Sequence, residues 1–227
     1  SNVICANSTG NVYSVTNVTG NTYAWTVTGG TITAGAGTNS ITVTWGAAGT
    51  GTVEVLETIT ATSCTQTNSL SVTINPNPTP SITGSTVVCT TNEGYVYSVA
   101  SVAGNTYAWT VTGGTVTAGA GTNSITVTWG AVGTGSVAII QTITATGCAT
   151  TATASINIQE LPTASETIVQ PVTCASEDGQ INLTLGGAVG PYTFAWTGTG
   201  QGVTSTTQNQ SAVSAGFYNY TVTAANG

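Results

Sequence analysis

GNTYAWTVTGGTITAGAGTNSITVTWGAAGTGT occupies residues 20–52, and GNTYAWTVTGGTVTAGAGTNSITVTWGAVGTGS occupies residues 104–136. Thirty of the 33 positions are identical, at an offset of 84 residues. Within each copy the pattern has period two. In TYAWTVT, Tyr23, Trp25 and Val27 fall on one face and Thr22, Ala24, Thr26 and Thr28 on the other. In SITVTWG, Ile41, Val43 and Trp45 alternate with Thr42 and Thr44. A polypeptide whose side chains alternate in this way buries one face of an antiparallel strand and wets the other. Glycine-rich segments, GAGTNS at 35–40 and GAAGTG at 46–51, break the pattern where turns are needed.

Working outward from that stretch, about seven strands are expected in the first copy, near residues 2–5, 11–16, 21–28, 31–34, 39–45, 51–60 and 68–74. No segment has helical periodicity. Seven short strands in a unit of this size predict an all-β, immunoglobulin-like sandwich. A fixed repeat period marks an array of similar units. NPNPTP (75–80) and QELPT (159–163) read as proline-stiffened connectors. They divide the chain into repeat one at 1–76, repeat two at 81–159 and a different third unit at 164–227. Three such bricks in line make an elongated rod on the order of 100 Å.

Composition excludes much chemistry. The chain has no Lys, Arg, His or Met, carries seven acids, and has a formal charge of −7. Without Lys or Arg nothing neutralises nucleic-acid phosphates. Without His there is no Ser-His-Asp or Cys-His catalysis. A negatively charged chain is repelled by anionic membranes, and no apolar run approaches the roughly 18 residues of a membrane span. No cofactor is expected, and catalytic residues are expected to be absent. The repeat also provides an internal control. Glu54 aligns with Ala138, Glu57 with Gln141, and Glu93 with Thr9, so no carboxylate recurs in both copies.

Three groups of candidate residues remain. The aromatics Tyr23, Trp25, Trp45, Tyr107, Trp109, Trp129, Tyr192 and Trp196 share strand faces with branched aliphatics and are expected in cores rather than on sugars. Phe217 alternates against Tyr218, Tyr220 and Val222 and is expected at the surface or an interface. Glu177 and Asp178, the only adjacent acids, are a weak calcium candidate set against a solvated turn. Of the five cysteines, Cys5 and Cys89 are 84 apart, as are Cys64 and Cys148. With Cys5 in the first strand and Cys64 in the loop before the last, the equal spacing predicts Cys5–Cys64 and Cys89–Cys148 disulfides within each unit. Stable disulfides imply an oxidising, extracellular setting.

On YSVTNVTGNTYAWTVTGGTITAGAGTNSITVTWG (13–46), units one and two resemble the PKD-like repeats of secreted Bacteroidota surface proteins. They depart from the better-known WDFGDG motif, having AWTVTGG (24–30) without its aspartates. Unit three, with VTC (172–174), DGQI (178–181), GPYTFAW (190–196) and SAGFYNYTVTAANG (214–227), resembles the SprB-type repeat of gliding-motility adhesins. The resemblance implies a large, exported, non-enzymatic cell-surface protein, often sent out by type IX secretion, with a structural or adhesive role. It also implies that the partner of Cys174 follows Gly227, the chain being a window on a longer protein. Expected partners are neighbouring repeats, other copies, and surface polysaccharide. A self-assembling filament or sheath subunit, and an accessory array on a secreted polysaccharide-degrading enzyme, are the alternatives.

Overall fold

The computed structural model describes residues 3–90 and 94–224. Unit one contains β1 (Val3–Cys5), β2 (Asn11–Ser14), β3 (Asn21–Thr28), β4 (Gly30–Ala34), β5 (Ser40–Trp45), β6 (Gly49–Ile59) and β7 (Cys64–Asn75). These pair as a four-stranded sheet, β1-β7-β6-β3, and a three-stranded sheet, β2-β5-β4. Only β1 on β7 is parallel; the other pairings are antiparallel. The seven expected strands are therefore present. The last two are longer than expected, and β7 begins at Cys64 itself, which is paired with Ile59 across the β6–β7 hairpin.

Unit two repeats this plan with β8 (Val87–Cys89), β9 (Tyr95–Ser98), β10 (Asn105–Thr112), β11 (Gly114–Ala118), β12 (Ser124–Trp129), β13 (Gly133–Ile143) and β14 (Ala149–Gln159). Its sheets are β10-β13-β14-β8 and β11-β12-β9. Unit three is smaller. Its strands β15 (Pro162–Val169), β16 (Gly179–Gly187) and β18 (Gln210–Val213) form one sheet, and β17 (Tyr192–Gly198) and β19 (Tyr218–Ala224) form the other. Every regular element among the described residues is a strand. The fold class is all-β, with immunoglobulin-like sandwiches in tandem.

Each unit has its own apolar cluster. In unit one Ile41, Val43 and Trp45 of β5 meet Val53 of β6 and Val72 and Ile74 of β7. Trp45 stands edge-on to Tyr13, with ring centroids 6.0 Å apart, and its Nε1 donates to Tyr13 Oη at 3.1 Å. Tyr97 and Trp129 repeat the edge-on pair at 5.9 Å. Thus a large aromatic buries its area while its polar atom is met or its partner ring is favourably oriented. Trp25 and Trp109 are half-buried against the clusters, and each Nε1 donates at 2.8 Å to a turn carbonyl, Thr38 O and Thr122 O. That bond ties the GAGTNS turn to the strand bearing the tryptophan. Tyr23 is buried, and Tyr107 and Tyr192 are half-buried. In unit three Trp196 packs with Ile181, Leu183 and Val213, with Tyr220 tilted against it at 5.1 Å.

Packing also explains two glycines. A Cβ at Gly51 would stand 2.3 Å from the Trp45 ring, and one at Gly135 would stand 2.6 Å from the Trp129 ring. Backbone must approach tryptophan closely there, and only glycine allows it.

Candidate functional site

The cysteines are placed otherwise than their spacing suggests. Cys5 is bonded to Cys148, with Cα atoms 5.5 Å apart and 143 residues between them in sequence. The expected Cys5–Cys64 and Cys89–Cys148 pairs are not formed. The reason lies in strand register. β1 lies beside the far end of β7, where Cys5 is opposite Asn75, whereas Cys64 is the first residue of β7. At about 3.3 Å per residue the two ends of β7 are roughly 35 Å apart. A disulfide needs Cα atoms within about 7 Å. Unit two has the same geometry: Cys89 is opposite Gln159 at the end of β14, and Cys148 immediately precedes its start. Each of the first two sandwiches therefore carries one cysteine at each pole, and the bond joins the trailing pole of unit one to the leading pole of unit two.

The joint around this bond is specific. Ala6 N donates to Asn75 O at 2.8 Å, Asn75 Nδ2 donates to Ile4 O at 3.1 Å, and Asn77 Nδ2 donates to Ala6 O at 2.9 Å. These bonds fix the start of the connector against the first strand, and Pro78 is buried. A groove of about 490 Å³ is lined by connector residues Asn77, Pro78 and Pro80 on one side and by Asn105, Gln141 and Ile143 of unit two on the other. Gln141 is buried, and Cys148 is fully buried. With no Lys, Arg or His in the chain, the joint is held by the disulfide, amide hydrogen bonds and apolar contact, without ion pairs.

The other candidates lie elsewhere. Asp178 Oδ1 accepts from Ser176 Oγ at 2.6 Å and from Val172 N at 3.1 Å. The Ser176 hydroxyl, then the Val172 amide, hold its carboxyl below the usual aspartate value. It closes the 172–178 loop. The described residues contain no cluster of three His, Cys, Asp or Glu able to hold a metal. Cys174 in that loop is an exposed thiol. Glu54 and Glu57 lie three apart on β6 and point to opposite faces. Glu57 accepts from Asn21 Nδ2 at 2.6 Å.

Unit three holds a second concavity, about 230 Å³, lined by Glu166, Ile168, Trp196, Phe217, Tyr218 and Tyr220 among others. Phe217 is 83% exposed at its rim, as its alternation requires. Tyr220 Oη donates to Glu166 Oε2 at 3.0 Å, and this bond holds the phenol above its usual pKa. The joint and the Glu166–Tyr220 pair both went unread in the sequence, since each depends on which strand ends and which sheets face each other.

A PKD-like domain model matches residues 1–74 and 75–158, and a SprB repeat model matches residues 167–201. No curated protein matches the chain. Among solved structures it is similar to three N-terminal domains of the bacteriophage RB49 highly immunogenic outer capsid protein. That match has 15% identity and a TM-score of 0.38, covering 91% of this chain and 75% of that one. It is also similar to extracellular domains 3–5 of Drosophila OTK, with 10% identity, TM-score 0.35, and 96% and 89% coverage. The titin I-band fragment I67–I69 matches at 12% identity and TM-score 0.32, with 95% and 89% coverage.

Proposed function

Because the chain belongs to the PKD-like domain family over residues 1–158 and continues into a SprB repeat, we propose that it is a non-enzymatic, extracellular repeat region of a large cell-surface protein. In this reading it is a stalk, exported by type IX secretion and serving adhesion or gliding. The observation that carries the reading is the Cys5–Cys148 bond. A disulfide between near-identical bricks, rather than inside each, fixes the angle between neighbours and suits a load-bearing array in an oxidising compartment. Its domains are repeat one (1–76), repeat two (81–159) and the SprB-type unit (164–227).

Electron microscopy of the native material, at the cell surface and after purification, tests this. Thin rods of constant width anchored at one end are expected for a stalk. Continuous fibres with a regular axial repeat would replace the stalk by a polymerising filament. Compact particles without axial order would overturn both.

A second reading concerns adhesion itself. The exposed Phe217 beside the Tyr220–Glu166 pair gives unit three an aromatic ledge with hydrogen-bonding groups, the arrangement that stacks on a sugar ring. Surface polysaccharide is its proposed ligand.

A further inference from the structure

The two leading poles of the PKD-like units are built from equivalent residues but are covered differently. At the unit two pole, Asn105, Gln141 and Ile143 form one wall of a groove whose other wall is the connector Asn77–Pro80, and Cys148 of the same unit is in a disulfide. Their counterparts 84 residues earlier, Asn21, Glu57 and Ile59, line an open concavity of about 290 Å³ together with Cys64. Ile59 is 45% exposed where Ile143 is half-buried, and Cys64 is an exposed thiol where Cys148 is fully buried. The hairpins share one bond, Thr62 Oγ1 and Thr146 Oγ1 accepting from the Cys64 and Cys148 amides at 3.4 and 3.3 Å, and differ at Ser63 and Gly147. One pole thus shows what faces this surface, and the other presents it uncovered. Glu57 stands for Gln141 and already holds Asn21, and Thr65 and Gln66 of the concavity stand for Ala149 and Thr150.

We infer that Cys64 is the seat of a second inter-unit disulfide, formed with the first-strand cysteine of another PKD-like unit whose proline-rich connector faces the Asn21–Glu57–Ile59 concavity. The inference rests on the reading of this chain as an array of docking units. The incoming thiol takes the role Cys5 has on Cys148. It belongs to a further PKD-like unit of the same polypeptide, because in a second copy Cys5 is already bonded to Cys148 and Cys89 is fully buried. In the reaction two thiols lose two protons and two electrons and one S–S bond forms. A disulfide oxidant such as oxidised glutathione supplies the balance, its own S–S bond breaking to give two thiols.

The test is peptide mapping of the native protein under non-reducing conditions, after free thiols have been blocked with iodoacetamide. A protease that needs no Lys or Arg, such as thermolysin, is required. Cys64 is expected to escape alkylation and to be recovered joined to a peptide carrying a first-strand cysteine. Non-reducing electrophoresis checks the source: a bond within one polypeptide leaves the apparent mass unchanged on reduction, and a fall in mass, the mark of a bond between copies, would overturn the assignment. Alkylated Cys64 alongside an intact Cys5–Cys148 bond would overturn this inference and leave the array standing. Cys64 joined to Cys174, or capped by glutathione, would overturn it equally. Absence of the Cys5–Cys148 bond itself would instead overturn the array. Cys64→Ser in the full chain, a change at an exposed side chain, is expected to keep the fold and abolish the linked species.

Discussion

Cys5 and Cys64 stand at opposite ends of the same strand, Cys5 beside Asn75 where β7 finishes and Cys64 where it begins. A bond between them would have stapled one sandwich. Placed at the two poles, they cannot serve the same joint, and Cys5 serves the one to unit two. Loss of Cys5–Cys148 should therefore loosen the joint more than it destabilises either unit. In the chain-entropy model, closing a loop this long stabilises the folded state by about 5 kcal/mol. That figure applies only if both units unfold together. Cys148→Ser is expected to split thermal unfolding of residues 1–158 toward independent transitions and to broaden the inter-unit distance distribution, measured by scattering or paired spin labels. A single unchanged transition with an unchanged distance would mean that the connector hydrogen bonds alone fix the joint.

The neighbouring hairpins offer a comparison within one chain. Ser63 has φ +57°, and the equivalent Gly147 has φ +72°. A residue with a Cβ is strained in that conformation, while glycine adopts it freely. Ser63→Gly is expected to stabilise unit one by about 0.5–1 kcal/mol, the strain relief exceeding the extra conformational entropy that glycine loses on folding. Gly147→Ser is expected to destabilise unit two by a similar amount. Denaturant titration of each variant checks this, and a sign reversal in either would refute the strain argument.

Gly51→Ala and Gly135→Ala test the core from the opposite direction. The added methyl would press into Trp45 or Trp129 and also meet a backbone oxygen, Thr28 O at 2.8 Å or Thr112 O at 2.7 Å. Neither neighbour can swing away, since the tryptophans are buried and the carbonyls belong to strands. Overpacking of this kind costs about 1–3 kcal/mol. A red shift in tryptophan emission should accompany the loss of stability. Full stability with unchanged fluorescence would show that the sheet yields at that point.

The alternation in TYAWTVT and SITVTWG was enough to place β3, β5 and their turns, because period two is a local property that burial on one face enforces. The cysteine pairing was not legible in the same way. An 84-residue offset is satisfied equally by bonds within units and by bonds between them, and the choice depends on β1 lying parallel to β7 at its far end. Phe217 could be read as exposed from its place against Tyr218 and Tyr220. Its neighbour Glu166 could not be read, because β15 reaches β19 only after the two sheets of unit three have packed.

That pairing leads to a pH prediction. Glu166 accepts the Tyr220 hydroxyl, and a phenolate there would face a carboxylate, so the phenol is held above its ordinary value near 10. Tyr97 is also raised, chiefly by burial. A group with a raised folded-state pKa contributes stability that is present below the unfolded value and is lost as pH rises through the folded one. Both contributions should thus persist at neutral pH and fade above about pH 10. Absorbance titration of phenolate formation is expected to show Tyr220 and Tyr97 titrating late. Glu166→Gln should bring Tyr220 back toward 10 while leaving Tyr97 late, since Tyr97 lies in a separate unit. If both tyrosines moved together, the Glu166 contact would not be the cause. If neither moved, the Tyr220–Glu166 hydrogen bond would be absent in solution, and the ledge proposed for sugar binding would lose its fixed polar pair.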